Sequence, residues 1–212
     1  MCRGSMSERA LKAFLKDVRK CQACVAEPVA KPLPHAARPV LRVSTRSRIC
    51  IVGQAPGTRV HASGIPFDDP SGDRLRDWLG VDRDTFYDEK YFAIIPMGFC
   101  FPGLDTKGGD LPPRKECAPL WREQLFDMLP NIKLTLVIGQ YAQAWHLGKA
   151  RKKNLTETVA HWRDYMPEHL PIPHPSWRNN VWLKKNPWFE ADVLPVLRRQ
   201  VAINLKASDR AS

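Results

Sequence analysis

The sequence predicts an α/β fold built on a parallel sheet, and three observations carry that expectation. Residues 48–52, 91–95 and 134–138 form short apolar runs, the pattern of strands buried on both faces. Between them, 71–79 (Leu75, Trp78, Leu79) and 114–129 (Trp121, Leu125, Phe126, Met128, Leu129) read as amphipathic helices. Strands alternating with helices need crossover connections, so the strands run parallel and the helices cover both faces of the sheet in three layers.

Taken in order, the first element is a helix over 7–20, with Ser7 as its cap and Leu11, Phe14, Leu15 and Val18 along one face. It ends at the pair Cys21 and Cys24. Residues 27–47 hold Pro28, Pro32, Pro34 and Pro39 among small and basic residues, which predicts a connector without regular structure. The α/β core begins with the run at 48–52, stopped by Gly53. A helix follows Gly139, and a last helix over 187–204 carries Phe189, Leu194, Leu197 and Val201 toward the core. The expected organisation is one domain overall: residues 1–47 as helix, C-x2-C and connector, 48–205 as the α/β unit, and 206–212 as a tail. Met6 is an alternative start, with the residues before it an extension.

Bulk composition narrows the partners. The 212 residues contain 33 Lys and Arg against 22 Asp and Glu, a net charge of +11, which suits a polyanion held through phosphate contacts. The basic residues are spread along the chain, with short runs at Arg151, Lys152, Lys153 and at Lys184, Lys185. No stretch approaches the about 20 apolar residues of a membrane span, and the start lacks the apolar region of a secretory signal. The expected location is therefore cytoplasmic, without membrane association.

Four of the six cysteines fall into two pairs, Cys21 with Cys24 and Cys100 with Cys117. In a reducing compartment this arrangement favours metal over disulfide, and four thiolates suit either an iron-sulfur cluster or zinc. The second pair brackets the Pro- and Gly-rich loop 101–116. Cys50 reads as a buried strand residue and Cys2 as a terminal one.

Two further segments carry chemistry. Gly53-Gln54-Ala55-Pro56-Gly57 is a sharp turn at the carboxyl end of a strand, where open α/β sheets bind ligands. Pro173-His174-Pro175-Ser176 fixes a histidine between prolines, with the serine able to cap the next helix. Taken in order, 53–57, Gly64-Ile65-Pro66-Phe67-Asp68-Asp69-Pro70-Ser71-Gly72, Cys100 and Cys117, and 174–176 resemble the uracil-DNA glycosylase superfamily, most closely its iron-sulfur branch. The resemblance spans about residues 10–200.

The resemblance implies a three-layer α/β/α sandwich around a parallel four-stranded sheet, and a DNA-repair glycosylase that flips uracil or a related deaminated base out of DNA. It implies a four-iron four-sulfur cluster on Cys21, Cys24, Cys100 and Cys117, with zinc as the alternative metal and no other cofactor. Phe67 takes the position of the stacking aromatic, and His174 that of the histidine that stabilises the negative charge growing on the leaving base. Gln54 orients the attacking water, and Asp68 and Asp69 are the alternative carboxylates for that task. Base contacts are expected from Gln54, Ala55, Phe67, Met97, Gly98 and His174, and DNA contacts from Gly57, Ser176, Trp177 and Arg178, with Trp177 or Arg178 as the wedge that fills the vacated stack. No lysine stands in these motifs for a Schiff base, so the enzyme is expected to be monofunctional and to leave an abasic site. It is expected to work as a monomer on DNA, associated with the nucleoid.

The sequence departs from the family pattern at three points. Ala55 stands where other branches carry Asp, Gln54 where this branch carries Glu, and no Asn precedes Cys100, so backbone groups at Met97 and Gly98 are the expected readers of the base edge. Two other readings arise from these departures: a metal- or cluster-containing module that binds damaged or single-stranded DNA without catalysis, and a hydrolase acting on free nucleosides.

Overall fold

The structure, a computed structural model, describes residues 7–209. The expectations for Cys2, the start of the chain and residues 210–212 lie outside the described residues. The elements in order are α1 (Glu8–Arg19), α2 (Ala23–Ala26), β1 (Ile49–Val52), α3 (Thr58–Ser63), α4 (Pro70–Leu79), α5 (Arg83–Tyr87), β2 (Phe92–Ile94), α6 (Cys117–Asp127), β3 (Leu134–Ile138), α7 (Gly139–Leu147), α8 (Leu155–Ala160), β4 (His169–Ile172), α9 (Asn180–Lys185) and α10 (Leu194–Asp209).

The four strands form one parallel sheet in the order β2-β1-β3-β4, with Ile49 beside both Phe92 and Leu134, and Val137 beside Pro171. Alternation along each strand feeds two cores. Ile49, Ile51, Leu134, Leu136 and Ile138 pack with Leu75, Trp78, Phe86 and Phe189 on one face. Cys50, Val52 and Val137 pack with Leu11, Leu15, Cys117 and Leu125 on the other. This is the three-layer α/β sandwich the alternation of elements requires. The connection from β1 leads to one side and that from β2 back past it to β3, so the chain reverses direction across the sheet at β1. Open α/β sheets place their ligand crevice at the carboxyl ends of the strands beside such a reversal.

Local details agree with the sequence. Ser7 accepts from Ala10 N–H and starts α1. Glu8 docks that helix by accepting from Thr45 Oγ1 at 2.7 Å, Thr45 N at 3.0 Å and Ser44 Oγ at 3.2 Å. The connector is irregular as expected, yet its end is built into the fold, because Arg42 and Ile94 exchange both backbone hydrogen bonds. α6 begins at Cys117, three residues later than the pattern suggests, after the consecutive prolines 112 and 113. A π turn over Phe189–Val193 leads into α10, which continues past residue 205 to Asp209, where Lys90 Nζ and Tyr91 Oη donate to its carboxylate at 2.7 and 2.6 Å. β4 carries no sequence signal of its own: Pro171 lacks an N–H, which this edge strand tolerates because it pairs on one side alone.

Candidate active site

The turn 53–57 leaves β1 and is held by the segment after β2. Met97 N–H donates to Gly53 O at 2.8 Å and Gly98 N–H to Gln54 O at 3.0 Å. Gln54 Nε2 donates to Leu111 O at 2.9 Å, which ties loop 103–111 to the turn and leaves the amide oxygen as the acceptor. Gly57 then caps α3.

Phe67 has φ +56°, in the left-handed region that non-glycine residues seldom occupy. The conformation is held from several sides. Arg76 Nη1 donates to Phe67 O at 3.4 Å, and Gly72 packs so closely that a Cβ there would stand 1.8 Å from that oxygen. Tyr87 Oη donates to Pro66 O at 2.8 Å, and the Phe67 ring meets Phe86 edge-on at 6.2 Å. Strain held by such a surround is typical of residues that serve a ligand. The ring reaches toward the turn after β1, since a Cβ on Gly53 would lie 3.4 Å from its Cζ.

His174 lies just past β4. Ser176 N–H donates to its Nδ1 at 3.2 Å, and Asn179 Nδ2 donates to its carbonyl at 2.7 Å. Arg74 on α4 secures the same loop, with Nη1 donating to Ser176 O at 3.2 Å and to Asn180 Oδ1 at 2.8 Å. Burial pushes the imidazole below its usual range, with Asp69 pulling weakly the other way. The ring is thus neutral near pH 7, and with Nδ1 accepting, its proton sits on Nε2 as a donor.

These pieces enclose one cavity of about 110 Å³, lined by Gly53, Gln54, Ala55, Gly57, Phe67, Asp69, Asp110, His174 and Ser176 together with Ile94 and Pro96 from the end of β2. It offers an aromatic ring, a neutral imidazole donor, a side-chain amide and two carboxylates. Such a set can hold a flat heterocycle and stabilise charge that develops on it.

Seven of the expected site residues meet here, and five, Asp68, Met97, Gly98, Trp177 and Arg178, do not line this cavity. Asp68 is turned into an ion pair with Arg83 at 2.8 Å, which holds its carboxyl below the usual range, and it does not line the cavity. Asp69 lines it while its Oδ1 caps α4 through Gly72 N–H at 2.8 Å. Met97 and Gly98 do not line the cavity, and their N–H groups are committed to the 53–57 turn, so those two donors are not available to read a base edge. Trp177 is 70% exposed, between Ser176 and Arg178 of the adjoining open pocket, with the Arg178 guanidinium 5.7 Å from its ring centre and Arg178 Nη2 donating to Gly108 O at 3.1 Å. Among the basic runs, Lys152 is paired with Asp164 at 2.8 Å. Asp110, Asn179 and Arg74 were not legible as site residues, since they belong to no recognisable motif and reach the site only through the fold.

Cys21, Cys24, Cys100 and Cys117 line a second, separate cavity, walled by Ala23, Ala37, Pro39, Leu120 and Trp121. All four thiols are unbridged. Phe99 N–H donates to Cys117 Sγ and Trp121 Nε1 to Cys21 Sγ, each at 3.3 Å. Burial pushes Cys100 and Cys117 up to about 12, so their thiolates need a cation to offset desolvation. Among the described residues no three Cys, His, Asp or Glu stand in a formed metal-ligating arrangement. What the fold supplies is a pocket in which two distant pairs converge, with a donor set of four soft sulfurs and N–H groups aimed at two of them. That set fits an iron-sulfur cluster or zinc.

A doubly covered parallel sheet with a base-sized polar cavity at its carboxyl ends defines a ligand-binding α/β protein equipped for acid–base work. The chain belongs to the uracil DNA glycosylase superfamily, whose family model matches residues 42–198. Membership places it among glycosylase-type hydrolases that act on DNA. It is also similar to a solution structure of a candidate uracil DNA glycosylase from Methanosarcina acetivorans, at 17% identity over 76% of this chain and 97% of that one, with a TM-score of 0.44. Among the described residues no helix is long and apolar enough to cross a membrane.

Proposed function

We propose that the protein excises uracil, or a related deaminated base, from DNA and leaves an abasic site without cutting the strand. The observation that carries this reading is the convergence of Phe67, Gln54 and the Nε2–H of His174 on one cavity. The flipped base stacks on Phe67 while Nε2–H of His174 donates to a base oxygen as the C1′–N bond breaks, so that negative charge grows where a donor already points. Trp177 enters the space left in the stack. The enzyme works as a monomer in the cytoplasm, on the DNA of the nucleoid.

Cys21, Cys24, Cys100 and Cys117 would hold a four-iron four-sulfur cluster, which supplies a structural staple between the segment after α1 and the start of α6. Protein purified without oxygen should carry about four irons per chain and absorb in the visible range; one zinc in colourless protein would replace the cluster with a zinc site.

The activity is tested on end-labelled oligonucleotides carrying one uracil, hypoxanthine, xanthine or thymine mismatch, single- and double-stranded, with alkali to reveal abasic sites. Cleavage that His174→Ala abolishes supports the reading. The commitment of Met97 and Gly98 N–H to the turn favours a second reading, a module that binds damaged or single-stranded DNA without catalysis. Binding with no cleavage of any substrate would establish that one instead. Cleavage of free nucleosides with none of DNA would turn the site toward nucleoside hydrolysis.

A further inference from the structure

A glycosylase that expels its base by donation from His174 still needs a group on the sugar side to take the proton of the attacking water. Ala55, in the turn 53–57, has no such group, and Asp68 is committed to Arg83. Asp69 spends one oxygen on capping α4. Resting on the glycosylase reading, we propose that Asp110 is the catalytic base.

Asp110 lines the base cavity together with Gln54, Ala55 and His174, and the same four residues line the open vestibule that continues from it past Arg178. A methyl group on Gly57 would stand 3.5 Å from its Oδ2, so the carboxylate faces the turn after β1. Among the described residues no hydrogen bond or ion pair engages that carboxylate, in contrast to Asp69, Asp105 and Asp68 nearby.

The backbone around Asp110 is fixed. Asp105 N–H donates to Gly109 O at 2.7 Å, and Asp105 Oδ1 accepts from the N–H groups of Lys107 and Gly109, both at 2.8 Å. Leu111 N–H donates to Gly103 O at 2.9 Å, while Leu111 O accepts from Gln54 Nε2. The loop is thus pinned on both sides of Asp110, and its carboxylate is left unengaged in the cavity. Burial raises its pKa, and Asp69 and Asp105 add to the rise against Arg178, which makes it a stronger base than a solvated carboxylate.

A carboxylate at this mouth repels phosphate, so DNA binding alone gives no use for it. Excision gives it one. Water oxygen bonds to C1′ as the C1′–N bond breaks; the bonding pair leaves with the base, toward the Nε2–H of His174, and the water proton passes to Asp110. The products are the abasic sugar and the base anion, which recovers a proton from solvent or from Asp110. The same negative charge favours the positive charge that builds on the sugar as the bond opens.

The test is single-turnover excision from the oligonucleotide that the wild type cleaves, with binding to a non-cleavable abasic analogue measured in parallel. Asp110→Asn and Asp110→Ala should both slow excision by about 10²–10⁴-fold while binding the analogue as tightly as the wild type or more so, since each removes a negative charge. Rates within about threefold of the wild type in both variants would overturn the role of Asp110 and leave the glycosylase reading intact. An Asp69→Asn variant that alone abolishes excision would move the base to Asp69. A wild type inactive on every substrate would remove the glycosylase reading, and the role of Asp110 with it.

Discussion

His174 shows how much one hydrogen bond decides at the residue scale. The Ser176 N–H occupies Nδ1, so the neutral ring presents its proton on Nε2. Because burial lowers the imidazole pKa from its ordinary value, the group is a neutral donor at pH 7. A preorganised donor of this kind contributes about 10²–10³ in rate when its target charge develops only in the transition state. His174→Ala should therefore lower the single-turnover excision rate by about that factor, with DNA affinity changed far less. An equal loss in affinity and rate would mean that the histidine serves binding alone. Phe67 and Gln54 were legible from their motifs. The fate of Asp68 was not, since adjacent acids look alike in sequence and only the position of Arg83 separates them.

At the scale of elements, α4 and the residues before it act as one unit. Asp69 caps the helix, Pro70 opens it, and Gly72 in its first turn lets the Phe67 carbonyl come close. A Cβ at 72 would stand 1.8 Å from that oxygen, and backbone cannot yield as the end of a flexible side chain can. Gly72→Ala should cost about 1–3 kcal/mol in stability and displace Phe67, so excision falls even where the variant remains folded. Chemical denaturation together with the excision assay on folded protein checks both parts; unchanged stability and rate would show that the turn relaxes freely. β4 was illegible for the opposite reason. Its four residues include a proline, and its place is set by pairing with β3.

Across the whole molecule, α6 and α7, two helices of one layer, are joined to the site by a buried cation. Arg122 on α6 is fully buried and donates to Ile95 O at 3.1 Å, Pro96 O at 2.7 Å and His146 Nε2 at 2.7 Å. It thereby holds the end of β2, which forms part of the cavity wall, to the helix that begins at Cys117. His146 must stay neutral to accept from it. Burial first, then Arg122 and His169, push that imidazole from 6.5 to about 3. An imidazole with a lower pKa in the folded state takes up its proton more readily in the unfolded chain. Stability is therefore full above about pH 6.5 and is lost as pH falls toward 3. His169 and His174, also lowered by burial, act in the same direction. Urea midpoints should fall between pH 7.5 and 5, and His146→Gln, which keeps an acceptor without a titration, should flatten that fall. An unchanged slope in the variant would assign the acid sensitivity to the other histidines.

The sequence by itself determined what depends on neighbours along the chain. The alternation of apolar runs and amphipathic helices, the Ser7 cap, the turn 53–57, the Phe67 and His174 segments and the pairing of the four cysteines are all local in period or spacing. The tertiary structure alone decided which loops share a cavity. Gln54 meets Leu111, Arg74 meets Ser176, Arg122 meets Pro96, and Asp110 comes to face the turn after β1. The hydrogen-bonded meetings join residues separated by 26 to 102 positions, and Asp110 is likewise far along the chain from Gly57. No spacing rule reaches that far; it is the packing of two cores on one twisted sheet that brings such residues together.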